Sequence, residues 1–164
     1  MALAATAAAA EDRPGLEAAV KAAYLAKLPG FVDWPGRPAG NGRPLVLCLV
    51  GEDEVVQDVE RGIGAAGAPR ALTIRPLDAA APDSGCDILY AAGSAKQSAQ
   101  AALDAVQGRP VLTVTDARRG DAQGMIHFVL ARGRVRLRID AAGAARAGLS
   151  ISSKLLGLAL SVTR

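Results

Sequence analysis

The sequence predicts an α/β fold: a single-domain, three-layer α/β/α sandwich with a Rossmann-like, mostly parallel sheet and a C-terminal β-hairpin. Three observations lead to this prediction. The chain of 164 residues is long enough for one domain with a substantial core. Its hydrophobic share of 51% and charged share of 21% are typical of a globular protein rather than a disordered one. Short apolar runs alternate with segments of helical periodicity, as in βαβ units.

The elements follow one another in that order. Residues 16–28 place apolar side chains at helical spacing, and Pro29-Gly30 ends this helix. The run LVLCLV at 45–50 is typical of a strand buried on both faces, and Asp53 can cap a helix over 54–63. The next predicted elements are strands at 71–75, 87–91 and 111–115, and a helix from a cap at Ser94 to about residue 106.

The last third of the chain predicts a hairpin and a final helix. Residues 125–130 and 134–140 flank Ala131-Arg132-Gly133, which is a tight-turn signal. Arginine and apolar residues alternate in the second strand, so the arginines share one face and the apolar residues face the core. The final helix is predicted at 153–162, where leucines recur.

The first segment of the chain, MALAATAAAA, is short and rich in alanine. Ala8-Ala9-Ala10 fits the small-x-small pattern of a signal-peptidase site, so we interpret residues 1–10 as the tail of a signal peptide. A disordered tail on a cytosolic protein is the alternative. Residues 11–164 then form the one domain, in which no segment is long and apolar enough to cross a membrane. The net charge of +3 is too mild to indicate nucleic acid binding.

Two phosphate-related patterns lack the context that their chemistry needs. The stretch 62–67 matches GxGxxG, but it follows a predicted helix and precedes a strand, the reverse of a dinucleotide site. Glu52 and Asp53 follow a strand, as a Mg²⁺-binding pair does in a phospho-receiver domain. The end of the strand at 87–91 carries no aspartate to accept phosphate, so helix capping is the favoured role.

No catalytic, metal or cofactor site is predicted. His127 is the only histidine and lies among apolar residues, with no activated nucleophile beside it in the sequence. One histidine and two cysteines form no recognised zinc pattern. The serines before Lys154 do not fit Ser-x-x-Lys, because Ile151 stands at the required position, and a helix N-cap is the simpler reading.

Cys48 lies within the first predicted strand and Cys86 opens the third, and such strands are often neighbours in a doubly wound sheet. A bond between them would close a loop of 38 residues and would persist only in an oxidising compartment. We favour this disulfide if the chain is exported. The alternative is a pair of buried free thiols.

Two groups of residues are candidates for partner binding. Arg134, Arg136 and Arg138 form a positive strand face, which is either an ordinary solvated face or a docking surface for an acidic partner. Phe31 and Trp34 lie between prolines and either pack the first helix onto the sheet or form a binding platform.

Several segments, taken in order, resemble the YfiR/HmsC-like family of bacterial periplasmic proteins. YLAKLPGFVDWP at 24–35 is similar to the family's early YLxKFxxFVxWP motif, and CLVG at 48–51 and CDILY at 86–90 look like its first and third strands. VLTVTD, GMIHF and GLSISSKLL, at 111–116, 124–128 and 148–156, match its C-terminal half. Leu28, Gln123 and Asp140 depart from the family's usual residues.

The resemblance implies a non-catalytic α/β sandwich in the periplasm that acts in cyclic di-GMP signalling and biofilm control. Its expected partner is the periplasmic part of an inner-membrane diguanylate cyclase, which it restrains. An outer-membrane lipoprotein and a second copy of the chain are further expected partners. The alternative function is a small-molecule sensor with its ligand at the carboxyl ends of the parallel strands.

Overall fold

Helices and strands alternate along most of the chain in a computed structural model that describes residues 14–37, 43–62 and 64–164. The helices are α1 (Pro14–Lys27), α2 (Glu54–Glu60), α3 (Ala99–Ala105), α4 (Ala141–Arg146) and α5 (Ser153–Leu158). The strands are β1 (Val32–Asp33), β2 (Leu45–Gly51), β3 (Leu72–Leu77), β4 (Ile88–Gly93), β5 (Leu112–Asp116), β6 (Ile126–Ala131), β7 (Arg134–Asp140), β8 (Ser150–Ile151) and β9 (Ser161–Thr163). Short 3-10 turns lie at Leu28–Gly30, Ala65–Gly67 and Ala117–Arg119.

Seven of the described strands form one sheet, in the order β3-β2-β4-β5-β6-β7-β9. Neighbours from β3 to β6 are parallel, whereas β7 runs antiparallel to β6 and β9 runs parallel to β7. Strands β1 and β8 form a separate antiparallel pair. The predicted α/β sandwich, with its mostly parallel sheet and C-terminal hairpin, is confirmed.

Apolar side chains cover both faces of the sheet. Because successive residues of a strand point to opposite faces, β2 supplies Leu47 to one side and Cys48 to the other. The first side packs against α1 and α2, and its core includes Ala22, Leu25, Val56, Tyr90 and Phe128. The second side packs against α3, and its smaller core includes Val50, Leu89, Ala91, Ala102 and Val106.

The β6–β7 hairpin lies where the sequence predicts it, with a loop one residue shorter than the predicted Ala131-Arg132-Gly133. Ala131 pairs with Arg134, so the loop consists of Arg132 and Gly133. Both have positive φ, 53° and 73°, as the I′ turn that matches strand twist requires. Glycine meets this need at no steric cost, whereas Arg132 does so against its intrinsic preference.

Two predicted elements differ from the structure. The final helix ends at Leu158 rather than 162, and Ser161–Thr163 instead pairs with β7. The backbone N–H and C=O groups of β7's free edge and of this segment pair with each other, which outweighs the local helical pattern. Helix α3 is capped by Ser98, not Ser94; the Ser94 hydroxyl instead accepts from the N–H groups of Lys96 and Gln97 in the preceding turn.

Residues 1–10, where the signal peptide is predicted, lie outside the described residues. In the part of the chain that the structure describes, no helix combines the length and hydropathy needed to cross a bilayer.

Candidate functional site

The arginine residues of β7 form a positive surface, here called the arginine face: Arg134, Arg136 and Arg138. Arg134 and Arg138 are exposed and Arg136 is half-buried, while the alternate residues of β7 turn towards the core. The predicted alternation is therefore confirmed. Within the described ranges, none of these three guanidinium groups makes an ion pair. The face thus offers three positive charges that an acidic partner could neutralise.

Strand β6 completes this face with less polar residues. Ala131, Val129 and His127 stand opposite Arg134, Arg136 and Arg138, and opposed residues of an antiparallel pair project to the same side. Val129 and His127 are buried, with 8% and 4% of their surface exposed. On this side of the hairpin, the β7 strand therefore presents charged arginines, whereas the neighbouring β6 side chains Val129 and His127 are buried within the protein.

His127 lies beneath the arginine face and is held by Thr115 of β5. Its Nδ1 is 2.7 Å from the Thr115 hydroxyl oxygen, which also accepts the Gly124 N–H. Burial lowers the pKa of His127, and the nearby charge of Arg138 lowers it further. Thr115 and His127 form a hydroxyl–imidazole pair, but both are almost fully buried, so no substrate reaches the hydroxyl in this conformation.

A second polar region lies where β2, β4 and β5 end, next to α1. The order of strands reverses direction between β2 and β4, and in open α/β sheets this is the usual ligand crevice. A cleft of about 380 Å³ is present there. Its charged lining comprises Glu17, Lys21, Glu52, Asp53, Glu54, Asp116, Arg118 and Arg119.

The charges at the base of this crevice neutralise one another. Lys21, which is 2% exposed, donates to Glu17 at 2.5 Å and to Asp116 at 2.7 Å. Arg118 Nε donates to both oxygens of Glu17, at 2.7 and 2.9 Å. That bond, assisted by Lys21, holds the pKa of Glu17 below its usual range against the opposing effect of burial.

Asp53 connects the crevice to the core. It caps α2 by accepting the Val56 N–H at 2.9 Å, and it accepts the Tyr90 hydroxyl proton at 2.8 Å. Burial, and then the charge of Asp53, raise the pKa of Tyr90 far above its usual range, so the phenol stays protonated and donates. The acidic pair Glu52–Asp53 therefore includes a helix cap, as the sequence indicates.

Trp34 lies inside the molecule, 5% exposed, and its indole N–H donates to the Asp87 carbonyl oxygen at 3.1 Å. Phe31 is half-buried and packs against the same core. Of the two alternatives for this aromatic pair, the buried Trp34 ring fits packing within the molecule. The ring is not on the surface, where a binding platform would need it. A partner contact at Phe31 stays a prediction.

Cys48 and Cys86 form a disulfide bond, with Cα atoms 5.7 Å apart. Cys48 lies within β2, and Cys86 lies two residues before β4, the neighbouring strand. The bond thus closes the smaller core on the α3 side of the sheet. Of the two alternatives for these cysteines, the structure has the disulfide rather than the free thiols.

The remaining sequence motifs serve as a turn and a helix cap. The described residues of the GxGxxG stretch, 62 and 64–67, lie between the end of α2 and the start of β3, with Gly62 and Gly64 at positive φ, as in a helix-to-strand turn. The Ser152 hydroxyl caps α5 by accepting the Leu155 N–H. Across residues 14–37, 43–62 and 64–164, no group of three or more His, Cys, Asp or Glu side chains is placed to hold a metal ion.

The ion cluster of buried Glu17, Lys21 and Asp116 with the exposed Arg118 is absent from the sequence-based predictions. A signal was present, because Glu17 and Lys21 are four residues apart on a helix, the spacing of a helical ion pair. Asp116 at the end of a buried strand was a second signal. Only the tertiary fold shows that the pair is buried against that strand.

Residues 18–160 match the model of a protein family described as YfiR/HmsC-like. This span covers most of the 164 residues, including every strand of the main sheet except β9. No curated protein matches the chain.

Proposed function

Since the chain belongs to the YfiR/HmsC-like family, we propose that it is a periplasmic regulatory protein that restrains a membrane-bound diguanylate cyclase. It would do so by binding the periplasmic part of that enzyme. A binding protein silences an enzyme only if it binds the inactive state more tightly than the active state. The regulator needs a specific docking surface and no chemistry of its own.

The arginine face is the observation that best supports a docking surface for the partner. Arg134, Arg136 and Arg138 lie on a regular strand, which fixes their spacing, and no ion pair within the described residues consumes their charge. Complementary charge speeds the encounter of two proteins and disfavours wrong partners. This supports an acidic patch on the partner as the complement of the arginine face.

The disulfide supports the compartment. Structural disulfides persist in oxidising environments such as the bacterial periplasm and are rare in the cytosol. Cys48 and Cys86 are 0% and 8% exposed, so a bond formed during export would be shielded from later exchange. An outer-membrane lipoprotein that captures the regulator, and a second copy of the chain, are further partners that this proposal includes.

The crevice at the carboxyl ends of the strands gives the second candidate function, sensing of a small molecule. Its position at the strand-order reversal favours this reading. Its deepest charges, however, are already paired with one another through Lys21. A ligand there would have to displace these bonds, so partner binding is the better-supported function.

The decisive experiment measures cellular cyclic di-GMP in the native host with the gene present and deleted. We expect the level to rise on deletion and to return when an exported copy, but not a cytosolic copy, is supplied. An unchanged cyclic di-GMP level on deletion would contradict the proposal that this protein restrains a diguanylate cyclase.

The docking surface is tested by Arg136→Glu together with Arg138→Glu. Arg138 is exposed and Arg136 is half-buried, so the fold should be kept. Binding to the cyclase's periplasmic part should fall by tenfold or more because two attractions become repulsions. Arg109→Glu with Lys154→Glu is the matched control, since it makes the same charge change at exposed sites off this face. Equal binding by the two variants would contradict the assignment.

A further inference from the structure

A second cleft, of about 460 Å³, lies on the α1 side of the sheet, between α1, the end of α2 and the edge strand β3. It is separate from the arginine face and from the crevice at the carboxyl ends of the strands. Its lining is mainly small and apolar, and includes Ala22, Ala26, Ala65, Ala68, Leu72 and Ile74. The volume falls in the range of small-molecule sites, which are mostly apolar with a few polar groups.

The space exists because the chain places alanine where larger residues would fill it. Ala22 and Ala26 lie one turn apart on the buried side of α1, and each contributes only a methyl group to the cleft lining. That loop approaches α1 closely at Gly64, where an added Cβ would come within 2.7 Å of the Ala23 Cα. The close contact at Gly64 holds this loop near α1, so the loop forms one wall of the cleft. The small side chains of Ala22 and Ala26 leave the cleft open beside that wall.

Arg70 places a guanidinium group in this apolar lining. Its Nη1 is shielded from solvent, and within the described residues it has no hydrogen-bond acceptor. The guanidinium carbon lies 6.0 Å from the centre of the Trp34 ring, a cation–π distance that holds the side chain in position. A buried donor without an acceptor costs free energy, more so on a charged group. An anionic group in the cleft would remove that cost.

We propose that this cleft binds a monocarboxylate with an apolar body, such as a medium-chain fatty acid, whose carboxylate accepts from Arg70 Nη1. The single guanidinium matches a single negative charge, and the alanine, leucine and isoleucine lining matches an alkyl chain. Glu60 also lines the cleft but forms no ion pair with Arg70, so the positive charge is left for the ligand. This site adds ligand binding to the proposed partner binding and does not depend on it.

The test uses titration calorimetry and thermal unfolding of the full chain with octanoate, and with octanamide as the uncharged equivalent. We expect octanoate to bind and to raise Tm, because a ligand specific for the folded state stabilises it, and octanamide to bind about tenfold more weakly or worse. Arg70→Met should weaken octanoate binding by a similar factor. Arg75→Met is the matched control, since Arg75 lies in β3, shortly after Arg70 in the chain, but outside the cleft lining. This variant should bind octanoate as the wild type does.

Two further variants separate the carboxylate contact from the cleft itself. Ala68→Phe places a large side chain in the lining at a half-exposed position, so it should abolish octanoate binding without loss of the fold. Glu60→Gln removes a negative charge from the lining and should tighten octanoate binding. The proposal is overturned if octanoate does not bind at millimolar concentration, if octanamide binds equally well, or if Ala68→Phe leaves binding unchanged.

Discussion

At the scale of single residues, His127 couples the arginine face to the core. It is the only histidine, it is buried, and it bonds through Nδ1 to the Thr115 hydroxyl. Burial and Arg138 both disfavour its protonation, so its pKa lies below the usual value of 6.5. A proton added to His127 would place a second positive charge directly beside Arg138, its cross-strand partner.

This environment predicts a loss of stability in mild acid. Well above pH 6.5 the imidazole is neutral in both the folded and the unfolded chain, and it adds no pH dependence there. As the pH falls through 6.5, the unfolded chain binds a proton that the folded chain does not, so the free energy of unfolding decreases until the lower folded pKa is reached.

We expect His127→Asn to flatten the dependence of the urea midpoint on pH in that interval, because its amide can still bond to Thr115 but does not titrate. The measurement is urea unfolding of both proteins at a series of pH values below neutrality. The same slope in wild type and variant would show that other groups cause the loss.

At the scale of elements, the disulfide fastens β4 to β2 across the connection that contains α2 and β3. It joins residues 38 apart in sequence, so it restricts a long segment of the unfolded chain. In the chain-entropy model a loop of this length contributes about 4 kcal/mol to the free energy of unfolding. Both cysteines pack in the smaller core, so replacement also changes that packing.

We therefore expect reduction to lower the free energy of unfolding by about 3 to 4 kcal/mol. Urea unfolding with and without reductant measures this loss, with intact mass after alkylation to verify the redox state. The double variant Cys48→Ala/Cys86→Ala serves as the control and should not respond to reductant. A wild-type protein equally stable in both conditions would contradict a structural role for the bond.

The sequence predicts those elements whose signals are local. The buried run at β2 and the cap at Asp53 each depend on neighbouring residues, and each lies where the pattern indicates. The predicted turn at Ala131-Arg132-Gly133 is also local, and the structure places it at Arg132-Gly133. Strand β9 was misread because its residues continue a leucine-rich helical pattern. What makes 161–163 a strand is the free edge of β7, which is more than twenty residues earlier in the chain.

The same distinction holds for the candidate sites. The arginine face follows from period two alone, and the structure reproduces it. The crevice and the cleft beside Arg70 depend on which elements become neighbours, and Arg70 carries no signal in the sequence. Burial of Trp34 likewise depends on its bond to Asp87, a residue far along the chain.

At the scale of the whole molecule, the buried ion cluster holds the first helix against the centre of the sheet. Lys21 of α1 bonds to Asp116 at the end of β5, across 95 residues of sequence, and also to Glu17 within α1. Apolar packing brings α1 to the sheet without fixing how far it slides along its axis. The directed bonds of Lys21 select one position, and this position also sets the walls of the crevice and of the cleft.

Lys21→Met tests this arrangement, because methionine keeps the apolar stem but removes the charge that both carboxylates share. Breaking a buried ion pair from one side typically costs 3 to 5 kcal/mol, and we expect a loss of about 3 kcal/mol because Glu17 retains Arg118. Lys96→Met is the control, because Lys96 and its ion-pair partner Asp78 are both largely exposed. The loss in the free energy of unfolding should therefore stay within about 0.5 kcal/mol. Urea unfolding of the three proteins gives the comparison. If Lys21→Met loses no more than Lys96→Met, apolar packing alone fixes α1 on the sheet, and the cluster has no structural role.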